Sequence, residues 1–292
     1  MKCNQCPRQC NISRDQYRGF CGASENLTLA LANLHYSEEP IISGTNGSGT
    51  IFFAGCNLKC VFCQNHDVST NIIGKEITTH RLAEIFKELE DGGAHNINLV
   101  TPTHYANQIM AALDIYRPNI PIVYNTNGYE SVDTIKKLSK YIDIYLTDFK
   151  YYDNELSNRL SHANNYREVA SLALAEMLKN QPENIIKDGI MQQGVIVRHL
   201  VLPNHTDDSI KVLDYLHDTF GKDLLISLMS QYVPLNDLSN HPDISRPLKP
   251  IEYKIVLSHL EKLGFDGFMQ ELSSNSTSYI PNFDYTGVDK KD

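Results

Sequence analysis

The sequence predicts an α/β fold in which helices cover a parallel β-sheet, and two features after residue 50 indicate it. Short apolar runs typical of buried strands recur along this part of the chain. Segments with helical periodicity lie between them, giving about six β–α units. The strand-like runs are 51–54, 97–100, 121–124, 142–149, 194–202, 224–229 and 265–272.

Three of the intervening segments carry an apolar stripe with the spacing of one helix face. The stripes are Leu82, Ile85, Phe86 and Leu89; Ile210, Leu213, Leu216 and Phe220; and Tyr253, Val256, Leu257 and Leu260. Pro250 and Gly264 are placed to begin and end the last of these helices. The alternation allows an open doubly wound sheet or a full or partial barrel, and in both folds ligands bind at the carboxyl ends of the strands.

Composition and charge exclude several classes of protein. The chain has 292 residues and a net charge of −9, so it has no general attraction for nucleic acid. No run of about 18 apolar residues is present to span a membrane. The N-terminus lacks the apolar core of a signal peptide, so we expect a cytoplasmic protein.

The chain divides into three regions by composition. Residues 1–49 form a cysteine-rich extension followed by an apolar stretch and a turn-rich run, which predicts a hairpin. Residues 50–284 form the core with the alternating pattern, and residues 285–292 are expected to be a disordered, charged tail. All seven cysteines lie within the first 63 residues, which in a cytoplasmic chain indicates metal or redox chemistry.

The second cysteine group directly follows the first predicted strand of the core. Cys56, Cys60 and Cys63 have the spacing Cys-x3-Cys-x2-Cys. Soft thiolate ligands suit iron–sulfur clusters or zinc, and three ligands without a fourth suit a cluster with one open iron. The alternative is a zinc site completed by His66 or by a distant cysteine.

The first cysteine group lies at the N-terminus and has the pattern Cys-x2-Cys-Pro-x2-Cys-x10-Cys. Its members are Cys3, Cys6, Cys10 and Cys21. This spacing is compatible with a zinc ion, with a second cluster or with free thiols, and it does not decide between them.

Polar residues interrupt two of the predicted strands. In 142–149, alternation places Asp148 and Lys150 on one otherwise apolar face at its carboxyl end, which indicates either a clamp for a zwitterionic ligand or an exposed ion pair. In 194–202, Arg198 and His199 point to opposite faces. We expect Arg198 to bind a ligand and His199 to be a hydrogen-bonded core residue, because a guanidinium suits a carboxylate or a ribose oxygen.

These residues together resemble the radical S-adenosylmethionine (radical SAM) superfamily. The cysteine motif carries an aromatic residue, Phe62, before its third cysteine. Asp148-Phe149-Lys150 is similar to the Asp-x-Lys signature of glycyl-radical-enzyme activases. The segment 197–203 and the first cysteine group resemble the family of pyruvate formate-lyase activating enzymes and its uncharacterised homologues.

The resemblance implies a partial (β/α)6 barrel with the cysteine-bearing extension before it. It implies a [4Fe-4S] cluster on the second cysteine group, with SAM on the open iron. Reductive cleavage of SAM would give a 5′-deoxyadenosyl radical that abstracts hydrogen. The residues at the family's SAM-binding positions are Phe62, Thr103, His104, Asn125, Asp148, Lys150 and Arg198.

Two positions depart from the activase pattern, and the substrate is left open. Asn125 stands where activases often carry an acid, and Thr103-His104 replaces the usual Gly-Gly-Glu. The resemblance implies a glycyl radical enzyme or another protein as substrate, and flavodoxin or ferredoxin as electron donor. The alternatives are a radical SAM enzyme acting on a small molecule, and a zinc- or cluster-bearing binding module without catalysis.

Overall fold

A computed structural model of the chain describes residues 2–270 and 280–290. The described strands are β1 (Leu27–His35), β2 (Ser48–Phe53), β3 (Lys75–Ile77), β4 (Ile97–Val100), β5 (Ile122–Thr126), β6 (Ile144–Asp148), β7 (Ile185–Lys187), β8 (Ile190–Leu200), β9 (Leu225–Met229) and β10 (Asp266–Met269). The helices are α1 (Pro40–Ser43), α2 (His66–Ser69), α3 (Thr79–Asp91), α4 (Ala106–Ile115), α5 (Val132–Leu138), α6 (Asn154–Ser161), α7 (Tyr166–Asn180), α8 (Thr206–Phe220) and α9 (Pro250–Leu263). Short 3-10 turns cover Thr103–Tyr105 and Pro242–Ile244.

The strands form one open sheet in the order β10-β9-β8-β6-β5-β4-β2-β1-β3, and β7 pairs with β8 off this path. The strands from β10 to β2 in this order are mutually parallel, whereas β1, β3 and β7 pair antiparallel with their neighbours. The predicted α/β fold with a parallel, unclosed sheet is therefore confirmed. Seven parallel strands are present among the described residues, one more than the six repeats of the prediction.

Each predicted strand of the core coincides with an observed one. The run 97–100 has the same bounds as β4, and the other boundaries differ by at most four residues wherever both ends are described. The strand predicted over 265–272 is observed as β10, while its last two residues lie outside the described chain. The three apolar stripes lie on α3, α8 and α9. Among the described residues, none of the helices combines the length and the apolar composition that a membrane span requires.

Helix α1, which connects β1 and β2, packs against one face of the sheet. Ile42 of α1 is fully buried in a cluster with Val123, Leu146 and Ile196, which come from β5, β6 and β8. Side chains alternate along a strand, so the same inner face continues two residues later with polar groups. The apolar layer around α1 thus forms a base beneath a polar layer at the carboxyl ends of these strands.

The predicted disordered tail from residue 285 is wrong for its described part, residues 285–290. Val288 is buried, and the guanidinium of Arg81 on α3 donates to the backbone oxygens of Gly287, Val288 and Asp289. Lys75 pairs with the Asp289 carboxylate. The segment is ordered because a buried arginine with five donors uses its carbonyl oxygens as acceptors, which the charged composition of the tail does not reveal.

Candidate functional site

A cavity of about 230 Å³ lies at the carboxyl ends of the parallel strands, where this fold places its ligands. Its walls include residues at or just past the ends of β2, β4, β5, β6, β8 and β9. Among the residues named from the sequence, those that line it are Cys56, Cys60, Cys63, Phe62, Asn125, Asp148, Lys150 and Arg198. The structure thus brings most of the predicted site together from four separate segments.

The cysteine loop leaves β2 through Gly55, which has a positive φ of 93°. A Cβ atom at this position would lie 2.7 Å from the Cys21 carbonyl oxygen, so a side chain would collide with backbone. That same oxygen accepts a hydrogen bond from the Cys56 amide at 3.3 Å. The N-terminal extension therefore packs directly against the start of the cysteine loop.

Each thiol facing the cavity accepts a hydrogen bond from the surrounding protein. Cys56 Sγ accepts from Asn127 Nδ2 at 3.4 Å. Cys60 Sγ accepts from Ser161 Oγ at 2.9 Å, and Cys63 Sγ accepts from Ser69 Oγ at 3.3 Å. Donors aimed at sulfur stabilise negative charge on a thiolate or on a cluster and help to set a cluster's reduction potential.

The electrostatics of the thiols fit a metal-binding role. Burial raises the pKa of Cys60 to about 12, and it also raises the pKa of Cys63. The Lys150 ammonium opposes this rise at both sulfurs. Three soft thiols opening on one cavity suit a [4Fe-4S] cluster, whose assembly requires them to lose their protons.

The acidic and basic residues of β6 and β8 form a buried network. Asp148 Oδ2 accepts from Lys150 Nζ at 2.6 Å, and Asp148 Oδ1 accepts from Arg198 Nε at 2.9 Å. The Asp148 and Lys150 side chains are only 11% and 16% exposed, which rules out the exposed ion pair considered from the sequence. Burial raises the pKa of Asp148, but the two cations outweigh it and hold the pKa below its usual value.

Arg198 also contacts residues that the sequence analysis did not connect. Its Nη2 donates to Asn125 Oδ1 at 2.6 Å, and its Nη1 donates to Glu38 Oε2 at 3.3 Å. Glu38 lies just before α1 and lines the cavity. It was missed because it lies far away in sequence, although the adjacent pair Glu38-Glu39 before a proline was a visible signal.

The structure does not place Thr103 and His104 at the predicted SAM site, because their side chains do not line the cavity. Thr103 Oγ1 donates to Glu130 Oε1 at 2.6 Å. The His104 ring is buried with Nε2 2.7 Å from the Ala54 oxygen, and burial lowers its pKa to about 3. Both residues instead support the loops behind the site, since the 3-10 turn after β4 directs their side chains into the core.

Phe62 and His199, also singled out from the sequence, are both buried. Phe62 lines the cavity, is 7% exposed, and its ring lies 6.0 Å from that of Tyr232. His199 is buried, with Nδ1 2.7 Å from the Phe149 oxygen and Nε2 2.9 Å from Ser209 Oγ. The expectation of a hydrogen-bonded core histidine is confirmed.

The N-terminal cysteines lie in a loop that packs against the core, and none of them forms a disulfide among the described residues. Burial is the main cause that raises the pKa of Cys6 to about 12, and neighbouring Cys21 and Cys3 contribute to the rise. Arg8 anchors the loop by donating to the Asn57 oxygen at 2.8 Å. Within residues 2–270 and 280–290, no three His, Cys, Asp or Glu side chains are gathered to hold a single metal ion, so the second metal stays a prediction.

The buried carboxyl group of Glu130, behind the site, makes the free energy of unfolding depend on pH. It is 1% exposed, and burial raises its pKa to about 7, although hydroxyl groups of Thr103, Thr126 and Tyr124 donate to it. The folded chain keeps this proton up to about pH 7, whereas the unfolded chain releases it near pH 4.5, so raising the pH through this interval favours unfolding.

We expect the free energy of unfolding of the wild type to fall relative to Glu130→Gln by about 3 kcal/mol between pH 4.5 and pH 7. The glutamine keeps one oxygen acceptor for the hydroxyl groups but does not titrate. Urea unfolding at half-unit pH steps measures both proteins. Parallel stability curves would show that Glu130 does not hold its proton in the folded chain.

Comparisons with known proteins agree with this geometry. Residues 50–216 match the sequence model described as the Radical SAM superfamily. An uncharacterised protein of Methanocaldococcus jannaschii, MJ0674, is 35% identical over 274 residues, which cover 90% of this chain and 75% of that protein. The pyruvate formate-lyase 1-activating enzyme of Escherichia coli K12 is 25% identical over 204 residues, covering 65% of this chain and 74% of the enzyme.

Among solved structures, Streptococcus suis SuiB bound to S-adenosylmethionine shares the fold. Its TM-score is 0.50 at 12% sequence identity, and the match covers 74% of this chain and 48% of SuiB. The chain therefore corresponds to less than half of SuiB's length, and this likeness shows the architecture alone.

Proposed function

This chain belongs to the radical SAM superfamily, and from that premise we propose that it cleaves SAM reductively at a [4Fe-4S] cluster held by Cys56, Cys60 and Cys63. The observation that carries the proposal is the shared cavity, in which three hydrogen-bonded thiols face the Asp148–Lys150–Arg198 network. When bound, the reduced cluster supplies one electron that splits SAM into methionine and a hydrogen-abstracting 5′-deoxyadenosyl radical.

The chain's own residues have separate tasks in this proposal. The three cysteines would hold the cluster and would leave one iron free to bind SAM. Lys150 offers an ammonium to the methionine carboxylate, and Asp148 keeps that ammonium in place through the contact of 2.6 Å. Phe62 provides an aromatic face for the adenine and excludes water on that side.

We further propose that the hydrogen is taken from a protein, specifically the glycine Cα of a glycyl radical enzyme, with flavodoxin or ferredoxin as electron donor in the cytoplasm. The likeness to the pyruvate formate-lyase 1-activating enzyme supports this choice. So does the cavity, which opens at the carboxyl ends of the strands, where a segment of a partner protein can approach.

The experiment is a reductive cleavage assay on anaerobically reconstituted protein. Dithionite-reduced enzyme with SAM should form 5′-deoxyadenosine and methionine in equal amounts. Adding a candidate glycyl radical enzyme should produce the glycyl radical signal in its electron paramagnetic resonance (EPR) spectrum. Absence of 5′-deoxyadenosine from cluster-loaded protein would contradict the enzyme class, whereas cleavage without a glycyl signal would contradict only the substrate.

We also propose that Cys3, Cys6, Cys10 and Cys21 bind a second metal, either zinc or a cluster. The mutual influence of Cys6, Cys3 and Cys21 on their pKa values supports this, because it places the thiols near one another. In protein whose first site is removed by Cys60→Ala, we expect bound metal to remain and to be lost in Cys60→Ala/Cys6→Ala. Elemental analysis measures both, and metal-free Cys60→Ala protein would contradict the proposal.

A further inference from the structure

Arg8 of the N-terminal extension links the cysteine loop to the end of helix α6. Its Nε donates to the backbone oxygen of Asn57, the residue after Cys56, at 2.8 Å. Its Nη1 donates to the His162 oxygen at 2.5 Å, and its Nη2 donates to the Ser161 oxygen at 3.4 Å. One guanidinium therefore joins the extension to two segments that lie 49 and 153 residues further along the chain.

The surroundings of Arg8 fix the orientation of its guanidinium. The central carbon lies 3.9 Å from the centroid of the Phe20 ring and 5.1 Å from that of Tyr129. Helix α6 ends at Ser161, and His162 follows it in the left-handed conformation. The last carbonyl oxygens of a helix lack partners within the helix, and the helix dipole favours a cation beside them. Arg8 thus supplies both the donors and the charge that suit this helix end.

The end of α6 carries the hydrogen-bond donor of one cysteine in the cavity. Ser161 is fully buried, and its Oγ donates to Cys60 Sγ at 2.9 Å. Because this hydroxyl has one proton and directs it to the sulfur, the Tyr151 hydroxyl donates to Ser161 Oγ, at 2.6 Å. The Val61 amide donates to the Leu160 oxygen at 2.9 Å. The position of the helix end therefore decides whether the sulfur keeps its donor.

We propose that Arg8 is a positioning residue that keeps the Ser161 hydroxyl on Cys60 and thereby raises the reduction potential of the cluster. This inference rests on the proposed function, since it takes Cys60 to be a cluster ligand. The reduced cluster carries one more negative charge than the oxidised one, so a donor aimed at a ligand sulfur stabilises the reduced form. Arg8 does not line the cavity, so it acts on the cluster from outside the ligand site.

The test is a redox titration of the cluster followed by EPR, on anaerobically reconstituted protein without SAM. It compares the wild type with Arg8→Lys, Ser161→Ala and Arg8→Lys/Ser161→Ala. Lysine keeps the positive charge of Arg8 but lacks the planar fork that reaches three carbonyl oxygens. We expect each single variant to lower the equilibrium constant for reduction about 10-fold, which is about 59 mV for one electron.

The double variant shows whether the two residues act together. If Arg8 acts through Ser161, Arg8→Lys/Ser161→Ala should have the same potential as Ser161→Ala, because both changes remove one hydrogen bond to the sulfur. Arg18→Lys is the matched control, since it makes the same substitution at an exposed arginine of the same extension. It should keep the wild-type potential.

The other outcomes decide against the inference. A wild-type potential in Arg8→Lys would overturn it while leaving the proposed function intact. Additive shifts in the double variant would also overturn it, because Arg8 would then act on the cluster without Ser161. Iron content is measured in parallel, and loss of the cluster from Arg8→Lys but not from Ser161→Ala would overturn the inference as well. Wild-type protein that assembles no [4Fe-4S] cluster would overturn both proposals.

Discussion

Cys60→Ala is expected to abolish assembly of the cavity cluster and to reduce SAM cleavage to background. Cys60 is buried at the cavity wall with 8% exposure, and its sulfur accepts the hydrogen bond of 2.9 Å from Ser161 Oγ. With only two protein thiolates left, the cavity would hold a cluster too weakly for it to assemble. Iron and sulfide analysis after anaerobic reconstitution, together with 5′-deoxyadenosine quantification, measures the effect.

Cys10→Ala is the matched control for this variant. It removes a half-buried thiol of the N-terminal group, which does not line the cavity. We expect its SAM cleavage to stay within about twofold of the wild type, because the second metal proposed for the N-terminal cysteines would lie outside the cavity, while circular dichroism shows both variants folded. SAM cleavage at wild-type rate by folded Cys60→Ala would refute the assignment of this cysteine.

Lys150→Ala is expected to weaken SAM binding by about 10- to 100-fold with the cluster intact. The variant removes a charge-assisted hydrogen bond worth about 1.5–3 kcal/mol. It also leaves the buried Asp148 carboxylate with Arg198 as its remaining ion-pair partner among the described residues. Equilibrium dialysis of SAM against reconstituted protein gives the affinity, and the iron content checks the cluster.

Lys140→Ala is the control, because Lys140 lies on the surface against the ring of Tyr141 and does not line the cavity. It should bind SAM with wild-type affinity. Unchanged affinity in Lys150→Ala would mean that the ammonium holds Asp148 without contacting the ligand. Loss of iron in the same variant would mean that the network supports the cysteine loop instead.

The sequence predicts those parts of the fold that depend on the local pattern of apolar and polar residues. Continuous apolar runs locate the parallel strands, because strands covered on both faces by helices have no polar side. Alternation within β6 places Asp148 on the inner face, and the structure confirms that it lies beside Lys150. The same alternation could not decide between Arg198 and His199, since both faces of β8 are apolar.

Other features of the fold and the site depend on contacts between segments that lie far apart in the sequence. Glu38 reaches the site because α1 inserts beneath the polar layer, and the turn-rich run around it indicates only a loop. Thr103 and His104 turn into the core, because Glu130 and the Ala54 oxygen provide partners that lie far away in sequence. The segment 285–290 is likewise held in place by Arg81, whose side chain donates hydrogen bonds to backbone oxygens about 200 residues later in the chain.

The most direct test of the central claim is the EPR spectrum of the dithionite-reduced protein with and without SAM. If Cys56, Cys60 and Cys63 leave one iron of the cluster open, SAM will bind that iron and change the g-values of the reduced cluster. A spectrum unaffected by saturating SAM, or iron-free protein after reconstitution, would contradict the account of this cavity.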